Sequence, residues 1–141
     1  MATWKDIAGK IAVMADDFPE DKYDFKPTPE VRSFAEQLLH VTGSIYYFQA
    51  LMQGQKPPDD PARSNFKNKA EIVAYAKKAL AEGTAMLEKT DFSKAIPRPQ
   101  RPINPYRFWS DVCEHTGEHY GQMVVYYRLN GIVPPDSRPK K

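Results

Sequence analysis

The chain has few of the residues that define several common classes of protein. Its 141 residues contain one cysteine, Cys113, so no internal disulfide bond can form, which is compatible with a reducing compartment. No stretch approaches the roughly 20 apolar residues that a membrane-spanning helix requires. The polar start from Met1 to Asp6 also lacks the apolar segment of a secretion signal. We therefore expect a cytoplasmic protein that does not enter the membrane.

The sequence also has no large excess of positive or negative residues, and it lacks the alternation of apolar and polar residues that is typical of strands. Lysine and arginine total 20 against 18 acidic residues, and they are not concentrated on one element, which argues against a nucleic-acid partner. The basic tail at 138–141 is expected to be a solvated terminus. No segment alternates apolar and polar residues as a strand does. The apolar share of 41% and charged share of 27% predict one compact domain over residues 1–141.

Apolar residues recur at helical spacing in four segments, at about residues 4–17, 28–53, 69–87 and 106–130. Thr28 followed by Pro29 is a typical helix start, because a capping hydroxyl precedes proline at the first helical position. Asn68 can cap the third helix, and Asn104 with Pro105 repeats the start signal for the fourth. The sequence therefore predicts an all-α four-helix bundle with long connections.

Two of these connections have a distinctive composition. Tyr23 and Phe25 lie in the first and are predicted to pack back onto the bundle. The connection before the fourth helix is predicted to be stiff and extended because of its prolines, which are Pro97, Pro99, Pro102 and Pro105.

The three histidines are the residues most suggestive of chemistry. His115 and His119 are four apart on the fourth predicted helix, so they lie one turn apart on one face. Such a pair can bind one metal ion, although it can equally be a solvated or hydrogen-bonded face. His40 lies in the middle of the second helix, where an imidazole without a partner would be unfavourable. A third histidine favours the metal interpretation.

The position of His40 on its helix leaves two alternatives open. The apolar stripe of this helix runs from Val31 to Met52 in steps of three and four, and His40 lies well around the helix from it. His40 shares a face with Glu36, Ser44 and Tyr47. Either that face also turns inward, or the stripe packs against something else, such as a second subunit.

Two carboxylates precede the histidines by one turn. Glu36 lies before His40 and is a candidate proton handler or hydrogen-bond partner, and Asp111 before His115 could orient that ring. An exposed carboxylate on a helix surface is the alternative for each. The other neighbours are predicted to stay outside the site: Cys113 as a small core residue, and Glu114 and Glu118 as solvated.

Two stretches of the chain resemble the DinB-like, or YfiT-like, family of damage-inducible proteins. One stretch runs over 25–33 and continues with Glu36 and His40; the other runs over 114–122 and continues through 127–135. The resemblance implies a four-helix bundle, commonly dimeric, with a three-histidine site for nickel, zinc or a similar ion. His40, His115 and His119 fall on the ligand positions. Some relatives are thiol S-transferases that use bacillithiol or mycothiol, and many have no assigned reaction.

Three imidazole ligands leave at least one coordination position open, which is typical of catalytic sites. We therefore expect a metal-dependent enzyme that activates a thiol or water to act on a small molecule. The family resemblance implies that it is a homodimer. Imidazole suits zinc, nickel, copper and iron alike, so the sequence does not identify the metal. Two alternatives remain: a non-catalytic stress-response bundle in which the ion is structural, and a metal-free helical adaptor.

Overall fold

The computed structural model describes residues 2–98 and 101–139. The described part contains four α-helices, α1 (Ala2–Asp17), α2 (Phe34–Met52), α3 (Lys69–Glu88) and α4 (Pro105–Leu129), with short 3-10 turns in the connections. Helices α1 and α2 each pack against both α3 and α4. Strand structure in these residues is limited to one isolated bridge, so the predicted all-α bundle is confirmed.

The second helix begins later than the sequence predicted. The Ser33 hydroxyl accepts a hydrogen bond from the Glu36 N–H, and the Glu36 carboxylate accepts one from the Ser33 N–H. This capping box satisfies two backbone donors at once and places the start at Phe34. The predicted start at Thr28 was wrong, because Thr28 instead opens a turn closed by the Val31 N–H.

The other helix ends follow the sequence signals. Asn68 caps α3 and Asn104 caps α4, each through its side-chain oxygen. Gly131, beyond the end of α4, has a φ of 69°, and Gly54, beyond the end of α2, has a φ of 65°. These are left-handed conformations that glycine adopts without steric cost.

The apolar stripe of α2 packs inside this chain. Phe34, Leu38, Val41 and Ile45 are each at most 1% exposed. The face that carries His40 turns inward only in part, since Ser44 is 6% exposed and the His40 side chain 20%, whereas Tyr47 is 45% exposed. The suggestion that a second subunit covers the stripe was therefore wrong, and the other alternative holds for the part of the face around His40 and Ser44.

The connection after α1 packs onto the core as predicted. Tyr23 is 1% exposed, and Phe25 packs against the core cluster. The Tyr23 hydroxyl donates a hydrogen bond to the carbonyl of Ala15 near the end of α1. Burial raises the pKa of Tyr23 well above its usual value, so the hydroxyl stays protonated and available as this donor.

The connection before α4 is not extended throughout. Ile96 and Ile103 exchange two backbone hydrogen bonds of 2.9 Å and fold the segment back on itself. Proline favours extended backbone only locally, and the buried side chain of Ile96 anchors the fold-back. The prediction that this connection is extended was therefore wrong at the point where Ile96 pairs with Ile103. Pro99, Lys140 and Lys141 lie outside the described residues.

Across residues 2–98 and 101–139, no helix is both long and apolar enough to cross a membrane.

Candidate metal centre

The packing of α2 against α4 brings the three histidines together. His40 comes from α2, and His115 and His119 come from successive turns of α4. Each offers one ring nitrogen, and these three nitrogens lie within 4.8 Å of one another. The ring centroids are 4.4 Å apart for His115–His119, 4.6 Å for His40–His119 and 5.4 Å for His40–His115. This group could hold one metal ion.

Hydrogen bonding determines which nitrogen His40 can offer. Its Nδ1 lies 2.5 Å from Oδ2 of Asp60, in the connection between α2 and α3. An ionised carboxylate only accepts hydrogen bonds, so Nδ1 carries the proton and Nε2 keeps its lone pair. On His115, Nε2 is buried and has no hydrogen-bond partner in the described part of the chain. A buried ring nitrogen without a partner fits a metal ligand.

Two glutamines support the third histidine. Nε2 of Gln37 lies 2.5 Å from Nδ1 of His119 and 2.6 Å from Oε1 of Gln122. These contacts occupy Nδ1 of His119, so Nε2 is the nitrogen that it can offer to an ion, provided that Nδ1 carries the proton. Gln37 is almost fully buried, which fixes the orientation of the His119 ring against α2.

The surroundings of the histidines favour their neutral form. Burial, and then the nearby rings of His115 and His40, lower the pKa of His119 to about 4. Burial, followed by the charge of His40, also lowers the pKa of His115. The ring of Phe48 lies 5.9 Å from that of His115 and forms an apolar wall. His115 and His119 are thus neutral near pH 7, as a metal ligand must be.

The carboxylates predicted from the sequence have partners away from the histidines. Glu36 caps α2, and its Oε2 lies 2.9 Å from Nζ of Lys26. The Ser33 N–H and then Lys26 lower the pKa of Glu36, which makes it a weaker base. Asp111 pairs with Arg107 at 2.7 Å. The structure does not bring Glu36 or Asp111 into the three-histidine group.

The remaining neighbours fall near their predicted positions. Glu114 and Glu118 are exposed. Cys113 is half-buried beside Trp4 and Trp109, and burial raises the pKa of its thiol.

Two clefts, each of about 750 Å³, are lined by residues that contact the histidines, although no histidine lines either cleft. One is lined by Gln37 and Gln122, which support His119, and the other by Asp60, which holds His40. Arg32 lines both clefts. The His40 side chain is 20% exposed, so a small molecule can reach the group from solvent.

The sequence of the chain matches the family model of the DinB superfamily over residues 9–123. The chain belongs to the DinB superfamily. No curated protein matches it. Two solved structures of DinB-like proteins are similar in fold. One, YjoA from Bacillus subtilis, shows 18% identity and a TM-score of 0.72, with 92% of this chain and 90% of that chain covered. The other, from Bacillus cereus ATCC 10987, shows 16% identity and a TM-score of 0.78, with 95% and 92% covered.

The three-histidine group of this DinB protein is contacted by two side chains that the sequence did not predict. Asp60 lies in a loop, 20 positions from His40, where no periodicity connects the two residues. Gln37 gave a weak signal, because it is a polar residue one turn before His40 on a helix that is apolar on two faces.

Proposed function

We propose that His40, His115 and His119 of this DinB protein hold one divalent metal ion, nickel or zinc being the first candidates, in a metal-dependent enzyme. The observation that carries the proposal is Nε2 of His115, which is buried and has no hydrogen-bond partner among the described residues, in a histidine whose ring lies close to those of His40 and His119. An ion held by three imidazoles has an open coordination position, and its Lewis acidity lowers the pKa of a bound water or thiol.

The surrounding side chains are suited to orienting the ligands. Asp60 keeps the proton of His40 on Nδ1 and directs Nε2 towards the other two rings. Coordination through Nε2 of His119 requires its Nδ1 to donate. Rotating the side-chain amides of Gln37 and Gln122 by 180° exchanges their oxygen and nitrogen atoms. The Gln37 oxygen then accepts hydrogen bonds from Nδ1 of His119 and from the Gln122 amide, so both contacts are preserved.

The reaction that we propose is transfer to, or hydrolysis of, a small molecule bound in the adjoining clefts, with a thiol or water as nucleophile. The open clefts beside Asp60 and Gln37 support a substrate of this size. Glu36 remains a hypothetical proton handler, and its contact with Lys26 weighs against that role. A low-molecular-weight thiol cofactor also remains a hypothesis.

Elemental analysis tests the metal site directly. Protein produced without an affinity tag or added metal should contain about one divalent ion per chain, and His119→Ala should lose it. The exposed neighbour Glu118 provides the matched control, since Glu118→Ala should keep the ion. An unchanged metal content in His119→Ala would refute the site.

We further propose that the protein is a cytoplasmic homodimer. Val125 and Leu129 lie one turn apart on α4 and are 49% and 58% exposed, which supports an additional interface. The single cysteine supports a reducing compartment. Light scattering that gives the mass of one chain would refute the dimer.

A further inference from the structure

Three arginines line one surface cavity near the start of α4. The cavity measures about 590 Å³ and is lined by Arg98, Arg101, Ile103, Arg107 and Asp111. None of the three histidines lines it, and it shares no residue with the two clefts beside them. The cavity is therefore a separate feature of the bundle.

The fold-back before α4 explains why these charges meet. Ile96 pairs with Ile103 through two backbone hydrogen bonds, and this pairing brings the segments that carry Arg98 and Arg101 to one cavity. Like charges held close together repel. Arg107, in the first turns of α4, adds a third positive charge. The arrangement is unfavourable unless a negative charge balances it.

The residues of the cavity supply only part of that negative charge. Asp111 is the one acid among the lining residues, and its Oδ1 lies 2.7 Å from Nε of Arg107. Asp111 thus offsets the charge of Arg107, although its buried Oδ1 forms no well-aligned hydrogen bond within the described residues. Nε of Arg98 is buried and has no hydrogen-bond partner within residues 2–98 and 101–139. A buried donor without an acceptor is destabilising, and a bound anion would satisfy it.

We propose that this cavity binds the phosphate group of a small phosphorylated molecule. The forked donors of guanidinium groups match the oxygens of phosphate, and Arg98 and Arg101 line the same cavity. The volume lies within the usual range for small-molecule sites, and Ile103 offers an apolar wall to the rest of the ligand. The proposal does not depend on a metal at the histidines.

Nuclear magnetic resonance of the ¹⁵N-labelled full chain, titrated with glycerol 3-phosphate, tests the proposal. The Nε–Hε signals of Arg98 and Arg101, assigned by their loss in Arg98→Gln and Arg101→Gln, should shift saturably. Each variant should bind roughly tenfold more weakly, the loss expected for one strong charged hydrogen bond. Asp111→Asn should bind more tightly, because it removes the competing carboxylate.

Arg128 on the last turn of α4 supplies the control, since Arg128→Gln makes the same change of charge far from the cavity and should bind like the native chain. Arg101 is exposed, so its replacement leaves the core intact.

Unsaturable shifts, or equal affinity in Arg101→Gln and the native chain, would overturn the proposal. Tighter binding of citrate would overturn the choice of phosphate. Tighter binding of a single-stranded oligonucleotide would overturn the choice of a small molecule.

Discussion

At the scale of single residues, the orientation of His40 depends on a partner outside its own helix. Oδ2 of Asp60 lies 2.5 Å from Nδ1 of His40, so Asp60 keeps the proton on Nδ1 and leaves Nε2 as the nitrogen that can bind an ion. Removing such a partner typically lowers metal affinity by a factor of about 10 to 100, because the ligand becomes less basic and less well oriented. We expect this loss in Asp60→Ala, measured by competition with a chelating indicator.

Asp59 provides the matched control for Asp60, because it is the preceding residue, carries the same charge and is also exposed. Asp59→Ala should keep the native metal affinity. Equal affinities for the two variants would mean that Asp60 does not orient His40.

The residues of the site differ in how far the sequence could predict them. The one-turn spacing of His115 and His119 predicted their proximity, since helix geometry alone brings such a pair together. The position of His40 could not be derived in this way, because it depends on how α2 packs against α4. Asp60 depends on the path of the loop before α3, and loop paths leave no periodic pattern in a sequence.

At the scale of elements, the start of α2 shows two capping signals in competition. Thr28 with Pro29 and Ser33 with Glu36 both resemble helix starts, and the second is used because its two hydrogen bonds are reciprocal. The sequence contained both signals but not their relative strength. No second capping signal competes at the starts of the other three helices. Their positions agree with the prediction to within a few residues.

Replacement of the Ser33 and Thr28 hydroxyls gives a prediction for this element. Ser33→Ala should lower the free energy of unfolding by about 1 kcal/mol, the usual effect of removing a helix cap. Thr28→Ala is the control and should have a much smaller effect, because Thr28 does not cap α2. Urea denaturation measures both values, and a larger loss in Thr28→Ala would contradict the observed helix start.

At the scale of the whole molecule, the segment after α4 is tied to α1 by an ion pair. Arg138 was expected to lie in a solvated tail, but its Nη1 and Nη2 each lie 2.7 Å from an oxygen of Asp17. This contact joins the segment after α4 to the end of α1. The composition of the tail could not predict it, because the two residues are far apart in the sequence.

The ion pair predicts how stability depends on pH. The hydrogen bond from Arg138 is the main cause that lowers the pKa of Asp17 below 3.8. The pair therefore stabilises the fold above pH 3.8 and is lost as the pH falls through the lower folded-state pKa. Arg138→Gln should be less stable than the native chain at pH 7, and the difference should shrink towards pH 3. Urea denaturation at both pH values, with Arg128→Gln as control, measures this; a constant difference would contradict it.

Metal removal distinguishes a catalytic ion from a structural one at the scale of the whole bundle. The buried core draws on all four helices, and of the three histidines only His119 is fully buried. The contacts between α2 and α4 include large apolar residues, such as Phe48 against Phe108, whose ring centroids are 5.7 Å apart. The helices that carry the ligands are therefore held together without an ion.

We accordingly expect the protein to stay helical and cooperatively folded after treatment with a chelator. Its melting temperature should fall by only a few degrees, because the binding energy adds to a bundle that is already formed. Circular dichroism before and after chelation, with metal added back, measures the change. Loss of the helical signal would instead show that binding energy is folding energy, as in small zinc domains, and would favour the structural bundle over the enzyme.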